Sequence, residues 1–180
     1  MALKGHPLDD LSVLDQFKRN PFPPGYPAHI RTFFSPVDDV HGAIRYLIGS
    51  AQNSLIVAMY GFDDKDIADA IKAKLADPNV FVQLTLDSTQ AGGVAERKLL
   101  AEESYPSSSV AIGSSEHGRI MHMKMFIVDG VVGTGSTNWS DAGERLQDNQ
   151  LTVISDAHVS VEARSRIDAI HANIIRKQRG

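Results

Sequence analysis

From Arg31 onward the chain alternates between stretches of two-residue and of helical apolar spacing, and each change of period marks an element. "RTFF" reads as a strand. Ser35-Pro36-Val37-Asp38 then opens a helix, with serine at the cap, proline at the first helical position and an acid three residues past the cap. Val40, Ala43, Ile44, Leu47, Ile48 and Ala51 follow at helical spacing. "SLIVAMYGF" is a near-continuous apolar run, the pattern of a central strand covered on both faces. "DDKDIADAIKAKLADPN" predicts a second helix, with Asp63 and Asp64 near its start and an Asp-Pro pair at its end. "VFVQLTLD" predicts a strand, Ala91–Glu103 a helix, "YPSSS" a loop and "SVAIGS" a short strand. A hairpin over "HMKMFIVDGVVGTGSTNWS" comes next, then the strand "QLTVIS". Val159–Lys177 closes the chain as a long helix with Val161, Ala163, Ile167, Ile170 and Ile174 on one side.

Residues 1–30 stand out as a Pro-rich N-terminal extension. A short amphipathic piece around Leu11–Phe17 precedes "NPFPPGYPAH", whose four prolines forbid a regular helix and predict an extended strap. Residues 31–180 make a single α/β domain, a mixed β-sheet sandwiched between helices on both faces. No internal repeat or low-complexity tract is visible, so any special segment is present once.

Composition changes this picture little. The chain has 180 residues, 42% hydrophobic and 22% charged, the mixture of an ordinary globular domain. It has no cysteine, which excludes disulfides and thiolate metal sites. No apolar run reaches membrane-spanning length and the N-terminus lacks the apolar core of a signal peptide, so a cytoplasmic location is the expectation. Charge matters more. The net charge of −4 excludes a protein that wraps nucleic acid by bulk charge, so a phosphate would be held in a local basic pocket.

The hairpin offers that pocket. Along a strand side chains alternate, so His122, Lys124 and Phe126 share one face and Met121, Met123, Met125 and Ile127 the other. His122 and Lys124 then lie roughly 6.5–7 Å apart and aim at one spot. Lysine is a point charge for a phosphate oxygen; histidine can be nucleophile or proton carrier near neutral pH. On the return strand Ser136 and Asn138 are again two apart, beside Gly133 and Gly135. A two-residue turn at Asp129-Gly130 would turn Ser136 and Asn138 away from the histidine. A three-residue loop, Val128-Asp129-Gly130, sets His122 opposite Ser136. That loop, or a one-residue bulge, is the expectation.

His122-x-Lys124-(four residues)-Asp129, followed by Gly135-Ser136-Thr137-Asn138, resembles the HKD motif of the phospholipase D superfamily. "FFSPVDDVHGAIRYLIGSAQNSLIVAMYGFDD" resembles the N-terminal half of its small single-motif bacterial members, the nuclease-like branch. The likeness runs from about Arg31 to Ser155. Two departures stand beside it. Five residues separate Asp129 from Gly135 where the family usually has six, and the family's Glu-Asn pair is matched by Asp148-Asn149.

The resemblance implies a phospholipase D/nuclease-like fold and a phosphodiesterase. His122 attacks phosphorus to give a phosphohistidine; a second histidine protonates the leaving alkoxide and then activates water. Lys124, Ser136 and Asn138, with Asn149, hold the non-bridging oxygens. Asp148 hydrogen-bonds an imidazole. Asp129 fits a structural role at the turn. No cofactor and no metal ligand are implied, since lysine and histidine stand in for a cation. One motif per chain is half a site, which implies a homodimer with the active site across its two-fold axis.

Other residues read more plainly. His117 and Arg119 suit ordinary loop positions, or the rim of a site. Tyr60 and Phe62 end the central strand, where clefts open, and suit either core packing or contact with a base or lipid. Trp139 is expected to anchor a core or interface. His41, His158 and His171 fall on predicted helices as surface or boundary residues. Arg145, near Asp148, suits a salt bridge or a substrate contact, and "RKQRG" is a basic helix end.

The leading expectation is a metal-independent endonuclease acting on DNA or RNA. A phospholipase D or phosphatidyltransferase acting on lipid phosphodiesters would want an amphipathic membrane-docking surface, and no strong candidate is visible. A catalytically inactive nucleic-acid-binding subunit is opposed by the intact His122, Lys124, Ser136 and Asn138. The shortened spacer and Asp148 keep it open.

Overall fold

The computed structural model describes residues 5–90 and 109–180. The described residues form one seven-stranded sheet flanked by helices. In chain order these are β1 (Ile30–Ser35), α1 (Val40–Gly49), β2 (Ser54–Met59), α2 (Lys65–Leu75), β3 (Phe81–Asp87), β4 (Val110–Gly113), β5 (Lys124–Val128), β6 (Val131–Gly135), β7 (Asn149–Ser155) and α3 (Ala157–Arg179). A 3-10 turn covers Leu11–Phe17, and a short π-helical turn, Ala142–Leu146, lies between β6 and β7. The sheet order is β1-β7-β6-β5-β2-β3-β4. β2, β3 and β4 run parallel, as crossover helices require, and the remaining pairs are antiparallel. The helix expected over Ala91–Glu103 and the loop "YPSSS" fall wholly or almost wholly outside the described residues. No described helix is long and apolar enough to cross a membrane.

The two faces of β2 explain its unbroken apolar run. Leu55, Val57 and Met59 pack with Ile44, Leu47 and Ile48 of α1 and Ile67 and Ile71 of α2 in one core. Ile56 and Ala58 pack with Ala163, Ile167, Ile170 and Ile174 of α3 in the other. Each fully buried aliphatic side chain contributes about 1.5–3 kcal/mol. The N-terminal extension joins the first layer, with Leu8, Leu11 and Leu14 buried beside α1 and β1.

The start of α1 differs from the sequence expectation. Asp39, not Ser35, caps the helix, accepting from the Gly42 N–H at 2.8 Å. Asp38 is occupied elsewhere, accepting from Phe34 N, Arg19 N and Lys18 Nζ. Burial works against its charge, but those donors outweigh it and hold the carboxyl below its usual range. His41 and His171 also depart from expectation: both are buried, His171 against Thr85 Oγ1 at 3.0 Å.

The hairpin turn is a correction as well. Val128 pairs with Val131 and Met125 with Thr134, so the loop is the two-residue Asp129-Gly130 turn and neither the three-residue loop nor a bulge. Both turn residues have positive φ, 47° and 93°, which asparagine-like residues and glycine tolerate.

Candidate active site

The expected alternation of β5 holds. Phe126 lies in the α1/α2 core, while Ile127, Met123 and Met125 face α3. Lys124 therefore points toward the α1/α2 side at the end of its strand, opposite Met59. Exposed His122 sits one step beyond the strand on the same side, and Lys124 Nζ lies 2.9 Å from its Nε2. Tyr60 completes this corner. Its ring meets the imidazole edge-on at 4.5 Å between centroids, and Lys124 Nζ stands 4.8 Å from the ring centre. The lysine is largely buried, and burial lowers its pKa.

A two-residue turn should carry Asn138 away from this corner. The chain then sets it beside Gly61, the residue after Tyr60. After Gly135 the backbone leaves the β5 ladder, keeping Ser136 N on Gln150 O at 3.0 Å. It then reaches the extension of β2: Trp139 N donates to Gly61 O, and Asp63 N and Asp64 N donate to Trp139 O. Glycine permits both close approaches. A Cβ at Gly135 would stand 1.9 Å from Gln150 O, and one at Gly61 would stand 2.9 Å from the Asn138 side chain. Asn138 thus lies against the residue following Tyr60, with its Oδ1 buried and, among the described residues, without a hydrogen-bond partner. A cleft lined by Gly61, Asp63, Thr89, Gln90, Asn138 and Ser140 opens beside it. Trp139 packs edge-on against Phe62 and Phe126, a core anchor for this crossing.

Ser136 and Asn149 line a separate depression, not the cleft beside Asn138. Ser136 Oγ donates to Asn149 Oδ1 at 2.8 Å, and Asn149 Nδ2 donates to Gly143 O. Asp148 is exposed in a depression shared with Phe34, Ser35, Val37 and Ser136, and among the described residues it has no hydrogen bond to an imidazole. His117 and Arg119 are exposed, and Arg145 pairs with Asp141 and Asp64.

Asp129 sits at the opposite end of the hairpin. Its carboxylate accepts from the N–H groups of Gln52, Asn53 and Ser54 and from His6 Nε2, all within 2.6–2.9 Å. Burial alone would raise its pKa; these donors outweigh it and lower it.

Two further residues were not singled out in the sequence. Fully buried Asp87, at the end of β3, accepts from the Met121 N–H at 2.5 Å and so positions the segment that carries His122. Glu144, on the π-helical turn, is buried against His41, with Nδ1 and Oε2 2.5 Å apart. Burial, and then the Asp64 carboxylate beside it, push Glu144 up to about 9. An acid closing an apolar strand was the visible signal for Asp87; Glu144 carried none.

A family model described as the phospholipase D-like domain of cardiolipin synthase matches residues 44–171. NucT from Helicobacter pylori is 26% identical with a TM-score of 0.69, covering 80% of this chain and 96% of its own. Nuc from Salmonella typhimurium, described as a phospholipase D family member, is 24% identical with a TM-score of 0.65, covering 80% and 94%. Phosphatidylserine synthase from Haemophilus influenzae shares the fold at 19% identity and a TM-score of 0.58, over 78% of this chain and 36% of its own. No curated protein matches the chain.

Proposed function

The chain belongs to the phospholipase D superfamily, in its small nuclease-like branch, and from that membership we propose a metal-independent endonuclease working through a phosphohistidine in a homodimeric site. The observation that carries this reading is the contact between Lys124 Nζ and His122 Nε2. A lysine ammonium has only donors, so Nε2 must be the acceptor and the ring proton sits on Nδ1. The nitrogen facing the lysine therefore bears the lone pair that a nucleophile needs.

When a phosphodiester enters, Lys124 turns its hydrogen bond to a non-bridging oxygen and frees Nε2. Nε2 then attacks phosphorus, an N–P bond forms and the P–O bond to the leaving alkoxide breaks. His122 of the partner subunit gives that alkoxide its proton. It then takes a proton from water, which attacks phosphorus, breaks the N–P bond and restores the imidazole. Asn138 and Ser136, with Asn149 behind it, hold the non-bridging oxygens as charge shifts. Asp148, which has no hydrogen bond to an imidazole among the described residues, is assigned to an imidazole of the assembled dimer. Nucleic acid is favoured as substrate because the chain matches NucT and Nuc over almost the whole of their lengths.

The test is cleavage of single- and double-stranded DNA and RNA with EDTA in place of added divalent cations, wild type beside His122→Ala. Bis(p-nitrophenyl) phosphate serves as a substrate-neutral diester. Polymer cleavage that survives EDTA and falls at least about 10³-fold in the variant is the expected result. Hydrolysis of the small diester alone redirects the substrate to lipids. Inactivity of a well-folded dimer on every substrate overturns the reading in favour of a binding subunit.

A further inference from the structure

Among the described residues, His41, Asp64 and Glu144 present one ligand atom each within 4.8 Å of one another, and all three are buried. They come from the first turn of α1, the cap of α2 and the π-helical turn. We propose that these three side chains bind one divalent metal ion of the zinc class, which ties the π-helical turn to α1 and α2. The sequence suggested no metal ligands, because the three are far apart along the chain.

The donors suit such an ion. One imidazole nitrogen with two carboxylate oxygens is a borderline set that favours zinc over magnesium or calcium, which prefer all-oxygen shells. Three protein ligands with a fourth position open is a recurrent zinc arrangement. The surrounding groups orient them. Asp64 Oδ1 is fixed by the Ile67 N–H at 2.9 Å, leaving Oδ2 to face His41 Nδ1 at 3.5 Å. On the other edge of the imidazole, Asp66 Oδ2 lies 3.5 Å from Nε2, the outer carboxylate that commonly steers a metal-bound histidine. An acidic depression lined by Asp63, Asp64, Asp66, Ser140, Asp141 and Arg145 leads toward the cluster.

A histidine–carboxylate hydrogen bond by itself leaves too much unexplained. It uses Nδ1 and Oε2 but, among the described residues, leaves Glu144 Oε1 and His41 Nε2 buried without hydrogen bonds. It also leaves a second carboxylate facing the pair, with the Arg145 guanidinium 3.6 Å from it. Tetrahedral zinc would space its ligand atoms about 3.3 Å apart, a side-chain adjustment of about 1 Å from the present positions. The ion would not touch the reacting atoms. Its contribution is to stability, holding the π-helical turn to α1 and α2, and the cleavage chemistry does not require it.

The test uses the untagged full chain, stripped by a chelator and dialysed against zinc, with metal analysis and thermal unfolding as readouts. Wild type and His122→Ala should each bind one zinc per chain and melt higher with it. The proposal therefore stands or falls separately from the phosphohistidine reading. Glu144→Gln, close in shape and confirmed as folded by circular dichroism, and His41→Ala should each lose at least about 100-fold in zinc affinity. Cobalt in place of zinc should give the visible absorption of a four-coordinate ion. No zinc bound by wild type, binding unchanged in both variants, or binding without a gain in melting temperature would overturn the proposal.

Discussion

Lys124 and His122 show how two neighbours divide one task. In the proposed mechanism the lysine's hydrogen bond selects the imidazole tautomer, and its charge is kept for phosphate. Burial favours the neutral amine, so Lys124 gives up its proton below the ordinary value of 10.5. Activity that needs the ammonium should therefore fall on an alkaline limb lying below that value, as a pH–rate profile of diester cleavage would record. Lys124→Arg, which stays charged, should remove that limb even where it lowers the rate. This corner was legible in the sequence because an x-Lys step of two residues leaves both side chains on one face. His41 was not: its place on a helix said nothing of which neighbours would bury it.

At the scale of elements, the site depends on where the hairpin's second arm goes after Gly135. Gly61→Ala would set a Cβ 2.9 Å from the Asn138 side chain, so Asn138 must shift. We expect kcat to fall about 10- to 100-fold with a much smaller change in stability, as steady-state kinetics beside urea denaturation would measure. Asp129 does the opposite kind of work, holding the Gln52–Ser54 backbone to the hairpin turn. Asp129→Ala should cost about 2–3 kcal/mol by urea denaturation at pH 7, since three donors lose a charged acceptor. The sign with pH follows from its lowered pKa: the stabilisation is full above the ordinary carboxylate value of 3.8 and is lost as pH falls through the lower folded value. The Asp-Gly turn was legible in the sequence. The expectation from sequence was nevertheless a three-residue loop or a bulge, to set Ser136 and Asn138 beside His122; the two-residue turn forms, and Asn138 is placed instead by the pairing of Trp139 with Gly61.

For the whole molecule, one motif in 180 residues makes the dimer central to the proposed chemistry. If each site needs two His122 side chains, co-expressing wild type and His122→Ala in equal amounts should leave about a quarter of the wild-type activity, because random pairing gives one wild-type dimer in four. A site complete within one chain would leave about half. Sedimentation of the mixture would verify that the dimers form.

Among the described residues, strand and helix order, the two-sided burial of β2 and the shared face of His122 and Lys124 followed from the sequence, because each is a matter of local period. Burial of Ala163, Ile167, Ile170 and Ile174 on α3 falls where that period puts it, but Val161 of the same stripe is exposed and His41 and His171 are buried. The contacts of Asp87 with Met121, Asn138 with Gly61, Asp129 with Gln52–Ser54 and Glu144 with His41 obey no such period. They join residues brought together by strand order and chain crossing, where close packing and the need to satisfy buried polar groups choose the partners.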